Sequence, residues 1–166
     1  MISLRPVTME DIGFLDILSF AGMPDEEKRK MIAESEARQS GGQYWELLLA
    51  FAGDRPVGYV SLFAHAPHII SCGPEVIPAC RRMGYAYAAE TQALAYAAAQ
   101  GYTVAVAYVR EDNLPSIRLH EKLGFELDAP YTGRNQKQMR LYIKALAANS
   151  TEICSTEQKI QEKNHA

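Results

Sequence analysis

The stretch that most constrains this chain runs from Ile69 to Gly124. An apolar, strand-like run from Ile69 to Ile77 stops at Pro78. Arg81 Arg82 Met83 Gly84 Tyr85 Ala86 follows, opening an Ala-rich helical stretch from about Gly84 to Gln100 that Gly101 terminates. Val104 to Val109 returns as a β-branched strand. Leu114 to Leu123 then reads as a short helix with Asn113 as its N-cap and Pro115 in the first turn, where a missing N–H does little harm, and Gly124 ends it. A strand–helix–strand–helix unit requires a fold that combines a sheet with helices.

The flanking segments say what kind of sheet. Ile2 to Arg5 is a short strand closed by Pro6, and Thr8 with Asp11 three residues on has the form of a capping box that starts a helix. Met23 to Gln39 is helical and heavily charged, most simply a solvated face, and gives way to Gly41 Gly42. Tyr44 to Ala52 and Pro56 to Phe63, joined by Gly53 Asp54 Arg55, predict an antiparallel hairpin; Phe125 to Tyr131 and Gln138 to Ile143, around Thr132 Gly133 Arg134 Asn135, predict a second one. Hairpins on both sides of a strand–helix–strand unit argue an α/β or α+β sandwich with a mixed sheet. With 166 residues, 48% of them hydrophobic and 22% charged, the chain suits one globular domain, expected over 1–146. A polar tail, 147–166, shows no strong apolar period and is expected to lie outside that domain.

A formal charge of -3 gives no basic excess of the kind that steers a protein onto nucleic acid or an anionic membrane, so neither is expected as a partner. Met1 to Val7 lacks the apolar core of a secretory signal and no run is long enough to span a bilayer, which predicts a cytoplasmic protein. Cys72, Cys80 and Cys154 are odd in number and widely spaced, so they read as reduced thiols rather than a disulfide framework or a zinc site.

The turn between Val76 and Ala86 carries the chemistry. Unpaired N–H groups in the first turn of the helix it opens, with the positive end of the helix dipole, suit a pyrophosphate. Gly84 lets a phosphate approach the backbone, Ala86 keeps the next turn small, and Arg81 and Arg82 add charge. Taken alone, the same string also reads as an ordinary helix start with two exposed arginines. A Walker loop is excluded, because no Gly-Lys-Ser or Gly-Lys-Thr occurs, and the three glycines of a dinucleotide fingerprint are missing.

Val76-x-Pro78, Arg81-x-x-Gly84-x-Ala86, Asn113-x-x-Ser116 and Leu119-His120-Glu121-Lys122-Leu123-Gly124-Phe125, in that order, resemble the core of the GNAT N-acetyltransferases. The resemblance implies a mostly antiparallel mixed sheet with flanking helices and a central pair of parallel strands, the ones ending at Ile77 and running from Val104 to Val109, that splay apart. It implies acetyl-CoA as co-substrate, held by Val76, Pro78, Arg81, Arg82, Met83, Gly84, Ala86, Asn113 and Ser116, with no metal. The acceptor would be an amine of a small molecule or a peptide N-terminus, attacking directly in a ternary complex. A homodimer is compatible with the chain.

Two side chains are candidates for proton transfer. Glu75, in the strand beside the acyl site, could take the proton of the attacking amine, or be a partly exposed strand carboxylate. His120 stands where many members of the family have a tyrosine that protonates the departing thiolate, and it shares a helix face with Ser116; it also reads as a histidine packed beneath the Gly124 Phe125 turn. His65 and His68, in an expected loop between strands, lack a third ligand and read as solvated. A catalytically silent acyl-CoA-binding module and a nucleotide-binding protein are the competing functions.

Overall fold

Alternating burial along the strands builds one seven-stranded sheet in the computed structural model, which describes residues 1–147; the rest of the expected tail lies outside the described residues. The strands are β1 (Ile2–Pro6), β2 (Trp45–Ala52), β3 (Arg55–Ala66), β4 (Ile69–Val76), β5 (Val104–Arg110), β6 (Glu126–Thr132) and β7 (Gln138–Ala145), in the order β1-β2-β3-β4-β5-β7-β6. Every neighbouring pair is antiparallel except β4 with β5. This is the mixed, mostly antiparallel GNAT-like sheet with a parallel pair at its centre. The closing hairpin forms, with β7 rather than β6 beside β5.

The helices are α1 (Ile12–Leu15), α2 (Asp25–Glu36), α3 (Tyr85–Ala99) and α4 (Leu114–Lys122). Side-chain contacts divide them between the two faces. Glu46 of β2 accepts a hydrogen bond from Tyr96 of α3, whereas Tyr59 of β3, in register with Leu49, meets Ser19 and Phe20 just beyond α1. Because successive strand residues point to opposite faces, α3 and the segment after α1 lie on opposite sides of the sheet. The buried side of α3 is rich in alanine, with Ala89, Ala93 and Ala97 beside Glu90 and Leu94, which lets it lie close to the strands. No helix among the described residues is long and apolar enough to cross a membrane.

Two expectations change. β3 continues to Ala66, so His65 is a strand residue, with its ring edge-on to Phe63 and Tyr108. The extra ladder length, unmarked by any turn residue before Pro67, hides His65 from a reading by breakers. The charged helix is not uniformly solvated either. Lys28 shares one stripe of α2 with Ile32 and Ser35, is 2% exposed, and pairs with Asp16 and Asp25. An amphipathic stem with two carboxylates at its tip can be buried where a lone ammonium cannot.

Candidate active site

The site begins where β4 and β5 stop pairing. They are joined only over Ile69 to Ser71 and Val104 to Val106, yet β4 runs on to Val76 against β3, and β5 runs on to Arg110 against β7. From Cys72 onward the two strands diverge and leave a gap. Pro74 fits this arrangement. In a central strand a proline loses a ladder bond, but here its nitrogen faces the gap rather than β3. The direction follows from Ile77, whose N–H bonds to the Val57 carbonyl at 2.9 Å toward β3, since alternate residues of a strand present their N–H to alternate edges. By the same alternation the N–H and C=O of Val76 face the gap. The Val76 carbonyl accepts a bond from Arg81 Nε at 3.1 Å.

That bond decides how the arginines are used. Arg81 is folded back onto the end of β4 by this bond although the residue stays exposed, as do Arg82, at a left-handed φ of 63°, and Met83. After the short helical turn Pro78–Cys80 the chain reaches Gly84, whose φ of 79° makes it the N-cap of α3 with no side chain capping the helix. A Cβ at Gly84 would meet nothing within 4 Å. The helix end is therefore open, its first-turn N–H groups without a partner among the described residues, as an anion site requires. Ala86 follows in the first turn, half-buried.

Asn113 is the N-cap of α4, its side-chain oxygen accepting from the Ser116 N–H at 3.3 Å. Ser116 Oγ lies 3.3 Å from His120 Nδ1, so the serine and histidine meet as their spacing predicts.

Glu75 and His120 are not brought together. Glu75 alternates with Cys72 and faces the α1 side, where the Tyr59 hydroxyl donates to it at 2.9 Å and also lies 3.1 Å from Ser19 Oγ. Burial, reinforced by the neighbouring Glu75 carboxylate, pushes the Tyr59 phenol up to about 12, so it stays a donor. His120 lies on the α3 side. It is 3% exposed, its ring edge-on to Phe125 and stacked over Tyr142. The sheet thus separates the two groups, with the carboxylate on its α1 side and the imidazole on its α3 side.

The imidazole has a partner that no motif announced. His120 Nε2 lies 3.2 Å from Oε1 of Glu90, a residue of α3 that is fully buried. The approach is off the axis of a full hydrogen bond, and among the described residues neither Glu90 oxygen has another hydrogen-bond partner. Burial alone would lower the His120 pKa; the Glu90 carboxylate and the Ser116 carbonyl outweigh it and raise it. Glu90 also pushes up the thiol of Cys72, which burial has already raised. A signal for Glu90 does exist in the sequence. It is the one charged residue on the stripe Ala86, Ala89, Glu90, Ala93, Leu94, Ala97 of an otherwise apolar helix face.

The sequence matches the acetyltransferase (GNAT) family over residues 14–125. The chain belongs to that family. This GNAT protein is an acetyltransferase by membership, and its fold agrees. The yncA protein of Salmonella typhimurium, solved with its cofactor acetyl-CoA, is 21% identical, with a TM-score of 0.68 over 90% of this chain and 96% of that one. RimL, a ribosomal L7/L12 alpha-N-protein acetyltransferase in complex with coenzyme A, superposes with a TM-score of 0.78 at 16% identity, over 89% and 96% of the two chains. A spermidine N-acetyltransferase chimera from Vibrio cholerae and hSSAT gives 0.74 at 14% identity, over 87% and 95%. No curated protein matches the sequence. The motif-based assignment of family and fold agrees with these findings.

Proposed function

We propose that this acetyltransferase transfers the acetyl group of acetyl-CoA to a primary amine by direct attack within the gap. The observation that carries the reading is the divergence of β4 from β5 with the Val76 N–H facing the opening and Glu75 on one of its faces. Acetyl-CoA would be held by the Val76 and Pro78 backbone, by the open end of α3 at Gly84 and Ala86 with Arg82 and Met83 beside it, and by Asn113 and Ser116 at the start of α4. Arg81 serves indirectly, because its guanidinium already bonds the Val76 carbonyl and fixes the strand end.

The Val76 N–H, aimed into the gap, would stabilise the oxyanion that forms as the amine attacks the thioester carbonyl. The attacking amine must first lose a proton. Glu75 is its acceptor, directly or through water, oriented by the Tyr59 hydroxyl. When the C–S bond breaks, the sulfur takes the electron pair and a proton from the His120 side of the gap. The separation of the two groups suits this division, since proton uptake and proton delivery occur on different reactants.

The acceptor class is an amine of a small molecule or a peptide N-terminus. Its test is mass-shift screening with spermidine, free amino acids and peptides bearing free N-termini. An acetylated product supports the reading; binding of acetyl-CoA with no product from any of them would favour a silent acyl-CoA-binding module. Competition by ATP but not by coenzyme A would favour a nucleotide site. Glu75→Gln is expected to lower kcat by about a hundredfold to ten-thousandfold, the range for loss of a general base, with little change in acetyl-CoA affinity.

Acetyl-CoA should also stabilise the fold by mass action. At a concentration about 100 times Kd the gain is about 2.7 kcal/mol, readable as a rise in melting temperature. Gly84→Val should abolish that rise while the unliganded protein stays folded, because the site of the new side chain is open and the strain is confined to one left-handed residue. An undiminished rise in the variant would remove the α3 N-terminus from the binding site.

A further inference from the structure

A buried carboxyl group in the α3–α4 interface is left over once acetyl transfer has been described. Glu90 has no role in binding, is wholly removed from solvent, and replaces an apolar side chain on an apolar stripe. The groups that face it and its partner are few. Ser116 and His120 come from α4, Cys72 from β4, and Tyr142 from β7, with the Tyr142 hydroxyl turned to Glu121 at 3.4 Å. His120 is the only cationic partner of Glu90 among the described residues.

Heavy-atom geometry sets the proton count. His120 Nδ1 lies 2.7 Å from the Ser116 backbone oxygen, which can only accept, so Nδ1 must carry hydrogen. A neutral ring would then present the bare lone pair of Nε2 to Glu90 at 3.2 Å. With an ionised carboxylate that contact is repulsive, and among the described residues no other cation faces the carboxylate to relieve it. One further proton on the pair, on Nε2 or on the carboxyl, removes that repulsion. Ser116 is the one member of the set with partial exposure, its hydroxyl 3.3 Å from Nδ1.

We propose that Glu90, His120 and Ser116 form a proton relay, in which Glu90 is the positioning residue that keeps one extra proton on the pair and the Ser116 hydroxyl is its outlet to the departing CoA thiolate. The inference rests on the acetyl-transfer reading and on Ser116 lying against the CoA arm. As the C–S bond breaks and the sulfur takes the electron pair, the Ser116 O–H proton passes to sulfur and the Nδ1–H proton passes to Ser116. The ring is left neutral beside the Glu90 carboxylate, with bare Nδ1 facing the Ser116 carbonyl. Nε2–H still points at the carboxylate, but the Nδ1 contact is now lone pair against lone pair, so the pair recovers a proton from solvent, to which Glu75 has released the proton of the amine. One proton leaves the amine and one reaches the thiolate, with no co-reactant.

The test combines a spectroscopic and a kinetic readout on the full chain. Long-range proton–nitrogen NMR of the histidine rings should show Nδ1 of His120 protonated, and the ring charged or sharing its second proton, well above pH 6.5. Glu90→Gln should return His120 to a neutral ring over the same range. It should also move the pH dependence of kcat, measured with the best acceptor of the screen. Ser116→Ala should lower kcat at least tenfold, and Ser116→Thr should restore it. A bare Nδ1 in the wild-type protein, a His120 titration unchanged by Glu90→Gln, or a Ser116→Ala variant in which only KM moves would each overturn the relay. The underlying reading fails differently. The wild-type protein would then acetylate none of the acceptors in the screen, whatever the protonation state of His120.

Discussion

Gly58→Ala is expected to lower melting temperature and turnover together. A Cβ built on Gly58 would lie 2.0 Å from the Glu75 carbonyl oxygen and 3.0 Å from the Val76 Cα, both backbone atoms of the paired strand. No rotamer change relieves a clash between two backbones, so β4 must move. Overpacking of this kind costs about 1–3 kcal/mol, or roughly 2–4 °C of melting temperature for each kcal/mol in a chain of this size. The atoms that move are the ones proposed to do the chemistry, since Glu75 and the Val76 N–H are the displaced neighbours. A misplacement of about 1 Å can lower kcat by about a hundredfold. Gly73→Ala, on the facing strand, is the control. Its nearest obstacle is the Ser61 side chain at 3.4 Å, and both stability and kcat should stay close to wild type. If Gly58→Ala keeps full activity, the geometry of β4 at Glu75 and Val76 is not what the reaction depends on.

The second large effect is expected at Glu90 and His120, and it is a matter of combination. His120→Phe leaves a buried carboxyl with no partner, and Glu90→Leu leaves Nε2 unsatisfied; each should destabilise the fold by about 3–5 kcal/mol. The double variant, Glu90→Leu with His120→Phe, replaces both by apolar groups and should recover most of that loss. Denaturant unfolding of the four proteins gives the coupling directly, and additive losses would show that the two side chains do not interact. The pH dependence has a definite sign. The folded pKa of His120 lies above its unfolded value near 6.5, so the pair contributes fully below about pH 6.5 and its contribution fades as pH rises through the folded pKa. The melting temperature of the wild type should therefore fall relative to the double variant above that point.

Much of the site was legible because its signals are local. Gly84 and Ala86 mark the start of α3, Asn113 caps α4 as its spacing predicts, and Gly53 Asp54 closes the β2–β3 turn. Each feature depends on a few neighbouring residues. Other features are set by contacts distant in sequence. Nothing in the last hairpin says that β7 rather than β6 lies beside β5, since both strands would pair with each other either way. Gly58 looks like any glycine in a strand until the carbonyl of Glu75 is seen against it. Lys28 belongs to a charge run whose exposed members outnumber it. His120 was visible as a departure from the family's tyrosine, but its meaning depends on Glu90, thirty positions earlier on another helix.

The short ladder between β4 and β5 has a mechanical consequence. Among the described residues the ladder that joins a four-stranded leaf, β1 to β4, to a three-stranded leaf, β5 to β7, has three rungs. A sheet divided in this way has the connectivity of two plates on a hinge, so that what spans the opening bears on the angle between them. In the free protein the contact between α3 and α4 spans one side. A molecule bonded to the inner edges of both plates would act as a second brace. Amide exchange should then slow along the inward edges of both leaves at once on binding, while the outer strands β1 and β6, remote from the hinge, keep their free-protein rates.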